Sequence, residues 1–156
     1  MITCCCPAGE VRRNLDTTIH WAKQAKAAGA AVVCFPEMNI CGYGLALEDY
    51  IKTADLFEDI VNALSDLAAR VKITVLAGTV KKAPDGKSLL PCHVVAYPDA
   101  GAGTYTKLHI APPEADFFIS GDTVPLFNVS GVRFGVQLCY DAHFPELSTR
   151  MALDGA

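Results

Sequence analysis

Long hydrophobic runs, a marked excess of charge of either sign and paired-cysteine motifs are all missing from this 156-residue chain. No apolar stretch approaches the ~20 residues a bilayer-spanning helix needs. Thirteen basic residues against seventeen acidic ones leave a net charge of −4, so there is no basic footprint for nucleic acid or an anionic membrane. No CxxC spacing occurs, which removes the zinc-ribbon and thioredoxin-type readings. The start, Met1-Ile-Thr-Cys-Cys-Cys-Pro7, lacks the basic flank and apolar core of a secretory signal, and a cytoplasmic location is the expectation.

What is present is the composition of a globular protein. Half the residues are hydrophobic (51%) and a fifth are charged (19%), enough for a core under a solvated surface. The length suits one domain. Seven cysteines are an odd number, so at least one is free or pairs between chains. In a reducing compartment Cys4, Cys5, Cys6, Cys34 and Cys92 are expected as small buried hydrophobes.

Periodicity predicts a mixed order of helices and strands. Ile2–Cys6 reads as a short strand and Arg13–Ala28 as a helix, with Leu15, Ile19 and Ala22 on one face and Lys26 able to snorkel beside them. Ala30–Phe35 is a continuous apolar run suited to a buried strand, followed by a loop over Pro36–Gly44. Leu56–Arg70 repeats apolar residues at helical spacing. Strands are expected at Ile73–Val80, Leu89–Tyr97, Thr104–Ile110, Val124–Val129 and Val132–Leu138, with turns at 83–87, 98–101 and 120–122. A last helix fits Phe144–Leu153, carrying Glu146 and Arg150 as an i, i+4 pair. The fold class is α/β.

Three residues close apolar strands. Glu37 follows the first run, Lys107 lies near the end of the Thr104 strand, and Cys139 ends the Val132 strand directly before a helix. If those strands are parallel neighbours, a carboxylate, an ammonium and a thiol converge on one rim, where open sheets build their sites. A helix N-terminus beside a thiol favours the thiolate. Together the three groups suit acyl transfer: a base for the thiol proton, a cation for a developing oxyanion, a nucleophile. Singly each is ordinary. A glutamate or lysine at a strand end is commonly a solvated charge, and a cysteine there is commonly core.

The text around them narrows the choice. Phe35-Pro-Glu37 with Gly42-Tyr43, Tyr105-Thr-Lys107-Leu-His109 and Leu138-Cys139-Tyr-Asp141 resemble, in this order, the motifs of the nitrilase or carbon–nitrogen hydrolase superfamily. Pro7 to Glu10 with Asn14, Ala111-Pro-Pro-Glu114 with Ser120 to Asp122, and Phe144-Pro-Glu146 with Arg150 extend the likeness over nearly the whole chain. The resemblance implies a nitrilase-like α-β-β-α sandwich, and Glu37 as general base and acid, Lys107 as oxyanion stabiliser and Cys139 as nucleophile. It implies Glu114 as a second glutamate that positions lysine or substrate, and Tyr43 and Tyr140 as pocket walls in contact with substrate. The substrate class is a small amide or N-carbamoyl compound; the text about Tyr140, Asp141 and Phe144 is more like the amidase and carbamoylase branches than true nitrilases. No metal or other cofactor is implied, because lysine supplies the positive charge. The full-length form is expected to be a homo-oligomer.

The family is longer than this chain. Residues 1–156 are therefore expected to be one such domain lacking its C-terminal part, with an incomplete sandwich that folds poorly alone. The alternative to an enzyme is a truncated, non-catalytic or partner-dependent module. Two other readings stay open at this point: a thiol–imidazole pair using His109 or His143, and a metal site using Cys139 with His143 or the cluster Cys4, Cys5 and Cys6.

Overall fold

A computed structural model describes residues 1–99 and 101–156. Helix α1 (Val11–Ala27) buries Asn14, Thr18 and Ala22 along one face. Lys26, at its C-terminal end, reaches across to donate to the Lys72 carbonyl at 2.7 Å. Strand β1 (Val32–Cys34) leads, through the loop that carries Glu37, to α2 (Leu47–Asp55) and α3 (Phe57–Val71). Three strands follow: β2 (Thr74–Lys82), β3 (Leu89–Ala96) and β4 (Ala102–Thr106). A short hairpin of β5 (Phe127–Val129) and β6 (Val132–Phe134) precedes a 3-10 turn at Cys139–His143 and helix α4 (Pro145–Leu153).

The main sheet has the order β1-β2-β3-β4, with β1 parallel to β2 and the other pairs antiparallel. One face is covered by the helices: Ile60, Leu64 and Leu67 of α3 and Ala22 of α1 pack on Val33, Val75, Ala77, Val94 and Ala96. The other face packs on the hairpin, where Leu76, Val95 and Tyr105 meet Phe127, Val136 and Leu138. Helix α4 then closes on the segment after β6, with Met151 against Gly135. The layers run helix, sheet, hairpin, helix, an α-β-β-α arrangement whose second sheet is two strands here.

Several elements depart from the sequence reading. Ile2–Cys6 forms no strand, although the Ile2 N–H donates to the Cys34 carbonyl at 2.9 Å. Helix α2 was not anticipated. The Thr104 strand ends at Thr106, because Ile119 rather than His109 takes the Leu89 carbonyl and Gly121 takes that of Lys107. The Val132 strand ends at Phe134: the register pairing Phe127 with Phe134 would set Val136 opposite Pro125, which has no N–H to give. Arg150 pairs with Asp154 at 2.7 Å instead of Glu146. Cys92 is buried as expected and Cys4, Cys6 and Cys34 are half-buried, but Cys5 is exposed. The turn expected at 98–101 contains Ala100, which lies outside the described residues.

Candidate active site

The supposition that the three site-bearing strands are parallel neighbours is corrected. β1 and β4 run in the same direction but stand at opposite edges, and β6 belongs to the hairpin. Glu37 reaches the lysine because its loop folds back across the sheet. The Phe35 N–H still bonds the Leu76 carbonyl at 2.9 Å, after which Met38 turns left-handed (φ 56°) and Ile40 donates to the Gly78 carbonyl at 2.9 Å. Gly78 makes this crossing possible, since a Cβ there would run into the Met38 amide and the Glu37 carbonyl carbon.

Buried amides hold the crossing in place. Asn39 accepts the Gly78 N–H at 2.8 Å and donates to the Thr18 hydroxyl of α1 at 3.0 Å. Asn14, also on α1, donates to the Ile40 carbonyl at 3.0 Å and the Pro7 carbonyl at 2.9 Å.

Lys107 is fully buried, and its Nζ lies 2.8 Å from Glu37 Oε1 and 2.7 Å from Glu114 Oε2. Burial works against its charge, but the two carboxylates prevail and raise its pKa above the ordinary lysine range. Its backbone is clamped as well: the N–H donates to Pro91 at 2.9 Å and the carbonyl accepts from Gly121 at 2.8 Å. Gly121 itself lies against Thr106 so closely that a Cβ would overlap the threonine hydroxyl. Glu114, at the end of the 3-10 turn Pro112–Glu114, also accepts the Ala111 N–H at 3.3 Å.

Cys139 opens its 3-10 turn with the thiol residue exposed and φ at 47°, in the left-handed region. That conformation costs a residue bearing a Cβ about 1 kcal/mol, so the surroundings must impose it. Asp141 does so. Wholly buried, it accepts the Leu138 N–H at 3.0 Å, the Tyr105 hydroxyl at 2.7 Å and the His109 N–H at 2.9 Å. His109 also sets Nδ1 2.9 Å from Asp141 and stacks its ring on Phe144 at 3.7 Å, so this nitrogen is engaged away from the thiol.

Tyr43 is exposed as a residue, yet partial burial of its phenol raises the pKa, and the Glu37 carboxylate beside it, then the charges of Glu114 and Cys139, add to the rise. The Tyr140 ring turns toward His143 and Phe144, at 5.2 and 5.4 Å. Its backbone N–H precedes the first bond of the turn, from the Asp141 N–H to the Leu138 carbonyl, so no partner within the turn competes for it. Among the described residues no cluster of three or more His, Cys, Asp or Glu side chains suits a metal ion.

Sequence reasoning missed Asp141, Asn39 and Thr18 as site supports. A carboxylate two residues past the cysteine, where an apolar strand enters the interior, is the signal that would have found the first: a buried aspartate must be met by donors.

Comparison with known proteins agrees with the geometry. The carbon-nitrogen hydrolase family profile matches residues 2–156. A protein named nitrilase from Pyrococcus abyssi is 33% identical over 151 residues, covering 94% of this chain and 57% of the relative. The omega-amidase of Bos taurus is 27% identical, with 91% and 54% covered. The crystal structure of a carbon-nitrogen hydrolase from Helicobacter pylori superposes with a TM-score of 0.85 at 25% identity, over 96% of this chain and 53% of that one. The chain spans about half the length of the relatives it matches. On this sequence match and this fold, the chain belongs to the carbon-nitrogen hydrolase family.

Proposed function

We propose that this chain carries the reacting groups of an enzyme that hydrolyses a non-peptide carbon–nitrogen bond, in an amide or an N-carbamoyl compound. The observation that carries the reading is a buried lysine held between two carboxylates, with an exposed cysteine whose turn is hydrogen-bonded through Asp141 to Tyr105 and His109 on either side of that lysine. Glu37 takes the Cys139 proton, and the thiolate attacks the carbonyl carbon. Lys107 Nζ and the Tyr140 N–H stabilise the tetrahedral oxyanion. As the intermediate collapses, the carbon–nitrogen bond breaks and Glu37 returns the proton to the departing amine or ammonia. A thioester remains. Water then gives a proton to Glu37 and attacks the thioester carbon; the acid leaves and the thiol recovers its proton.

Glu114 has a distinct part in this scheme. When Glu37 is protonated it no longer pairs with the lysine, and Glu114 keeps the buried ammonium from standing alone. Tyr43, beside Glu37, is placed to border the acyl group.

The test is ammonia release by the complete protein from primary amides, N-carbamoyl amines and nitriles, with Cys139→Ala alongside. Turnover of amides or carbamoyl compounds that falls at least about a thousandfold in Cys139→Ala is the expected result. Turnover of nitriles alone overturns the substrate class. Undiminished activity in Cys139→Ala overturns the mechanism. No turnover, together with Cys139 alkylating as slowly as Cys34 and Cys92, favours the non-catalytic module.

A further inference from the structure

The scheme above uses Glu37, Lys107, Glu114 and Cys139 and leaves Asp141 without a part, although this carboxylate has no exposed surface and is met by four donors. The distribution of those donors is specific. Oδ2 accepts from Tyr105 Oη at 2.7 Å and from the Leu138 N–H at 3.0 Å. Oδ1 accepts from the His109 N–H at 2.9 Å and lies 2.9 Å from His109 Nδ1. Tyr105 and His109 are the residues two before and two after Lys107. Leu138 is the residue immediately before Cys139.

A return bond completes the arrangement, from the Asp141 N–H to the Leu138 carbonyl at 3.0 Å. Leu138 and Asp141 are thus joined in both directions, and the ring they close contains only Cys139 and Tyr140. That ring holds Cys139 at φ 47°. Oδ1 and the Tyr105 bond fasten the same ring to the backbone that carries the lysine. Two oxygens that accept from four donors require the acceptor-only character of a carboxylate, since an amide in the same place would turn an NH2 toward two of them. An Asp141 acceptor also selects the His109 tautomer with the proton on Nδ1.

We propose that Asp141 is a positioning residue that fixes Cys139 relative to Lys107 and holds the left-handed turn presenting the thiol. This rests on Cys139 being the nucleophile.

The test uses the complete protein carrying Asp141→Asn, Tyr105→Phe or Cys139→Ala, assayed well below each variant's Tm. Displacement of a reacting group by about 1 Å costs on the order of a hundredfold, so Asp141→Asn is expected to lower kcat about 100-fold with KM changed less than about threefold. Cys139 alkylation by iodoacetamide should slow with it. Tyr105→Phe removes one neutral donor and is expected to lower kcat about fivefold, and it decides the matter if Asp141→Asn does not fold. A merely structural role would lower Tm and leave kcat and the alkylation rate of the folded protein alone. Folded Asp141→Asn or Tyr105→Phe with wild-type kcat, or Asp141→Asn with a wild-type alkylation rate, overturns the proposal. If Cys139→Ala is inactive in that case, only the positioning role has failed. If Cys139→Ala is fully active, the nucleophile assignment has failed and the positioning role falls with it.

Discussion

Lys107 brings one positive charge to two carboxylates, so the buried group carries a surplus negative charge that a proton can neutralise without disturbing the ammonium. Remove Glu114's charge and the lysine pairs with Glu37 alone. Glu114→Gln is expected to reduce kcat by about tenfold or more, because the ammonium then stands alone whenever Glu37 carries the proton; an unchanged kcat would mean that Glu114 does not share the lysine during turnover. At this scale the sequence was informative for residues that sit in short ordered motifs. Glu37, Lys107 and Glu114 were each read as candidates, and they meet at one nitrogen. Asp141 lies inside one of the same motifs and was passed over, because its one sign of burial, a place just past an apolar run that enters the interior, does not say which donors would meet it.

The element that decides where Glu37 stands is the loop of residues 36–44, and its seat is Gly78 on β2. Gly78→Ala is expected to destabilise the fold by about 1–3 kcal/mol in urea titrations, as overpacking does, and to cut kcat, since the loop must lift to admit the methyl group. Wild-type stability and turnover in that variant would show that the loop is not seated there. The same region shows what element-level reading can and cannot do. Turn signals at 83–87 and 98–101 are too short for a parallel crossover, so β2, β3 and β4 had to alternate in direction; loop length says nothing of which strands stand beside β1 or β6, and those carry Glu37 and Cys139. Helix α2 was obscured for another reason. Asp55, Leu56 and Phe57 carry no glycine or proline to punctuate the junction with α3, and Leu56 (φ −89°, ψ 6°) breaks the two helices without a sequence mark.

For the molecule as a whole, the buried imidazole of His93 contributes a defined loss of stability in acid. Both ring nitrogens are enclosed and neither makes a hydrogen bond of good geometry among the described residues, the Phe35 carbonyl offering only a poor acceptor. Burial pushes its pKa from 6.5 down to about 4, the Phe35 carbonyl offsetting only part of this. Between those two values the unfolded chain holds more protons than the native one, so stability falls as pH falls through the window. Each pKa unit is worth about 1.4 kcal/mol, giving a loss of about 3 kcal/mol from pH 6.5 to 4. Urea unfolding across that range should show the loss in the native sequence and a correspondingly flatter profile in His93→Leu; parallel profiles would mean that the ring finds a proton acceptor on folding.

The mixed direction of the main sheet bears on the order in which the protein assembles. β2, β3 and β4 follow one another at short sequence separation and can pair through local contacts, whereas β1 must come from beyond α2 and α3 to lie parallel to β2, a closure that carries a larger entropic cost. The strand bearing the lysine can thus be in place while the acid loop, tethered to β1 and α1, is still free. Glu114, seven residues past Lys107, can meet the ammonium through a local contact, whereas Glu37 reaches it only once β1 is seated.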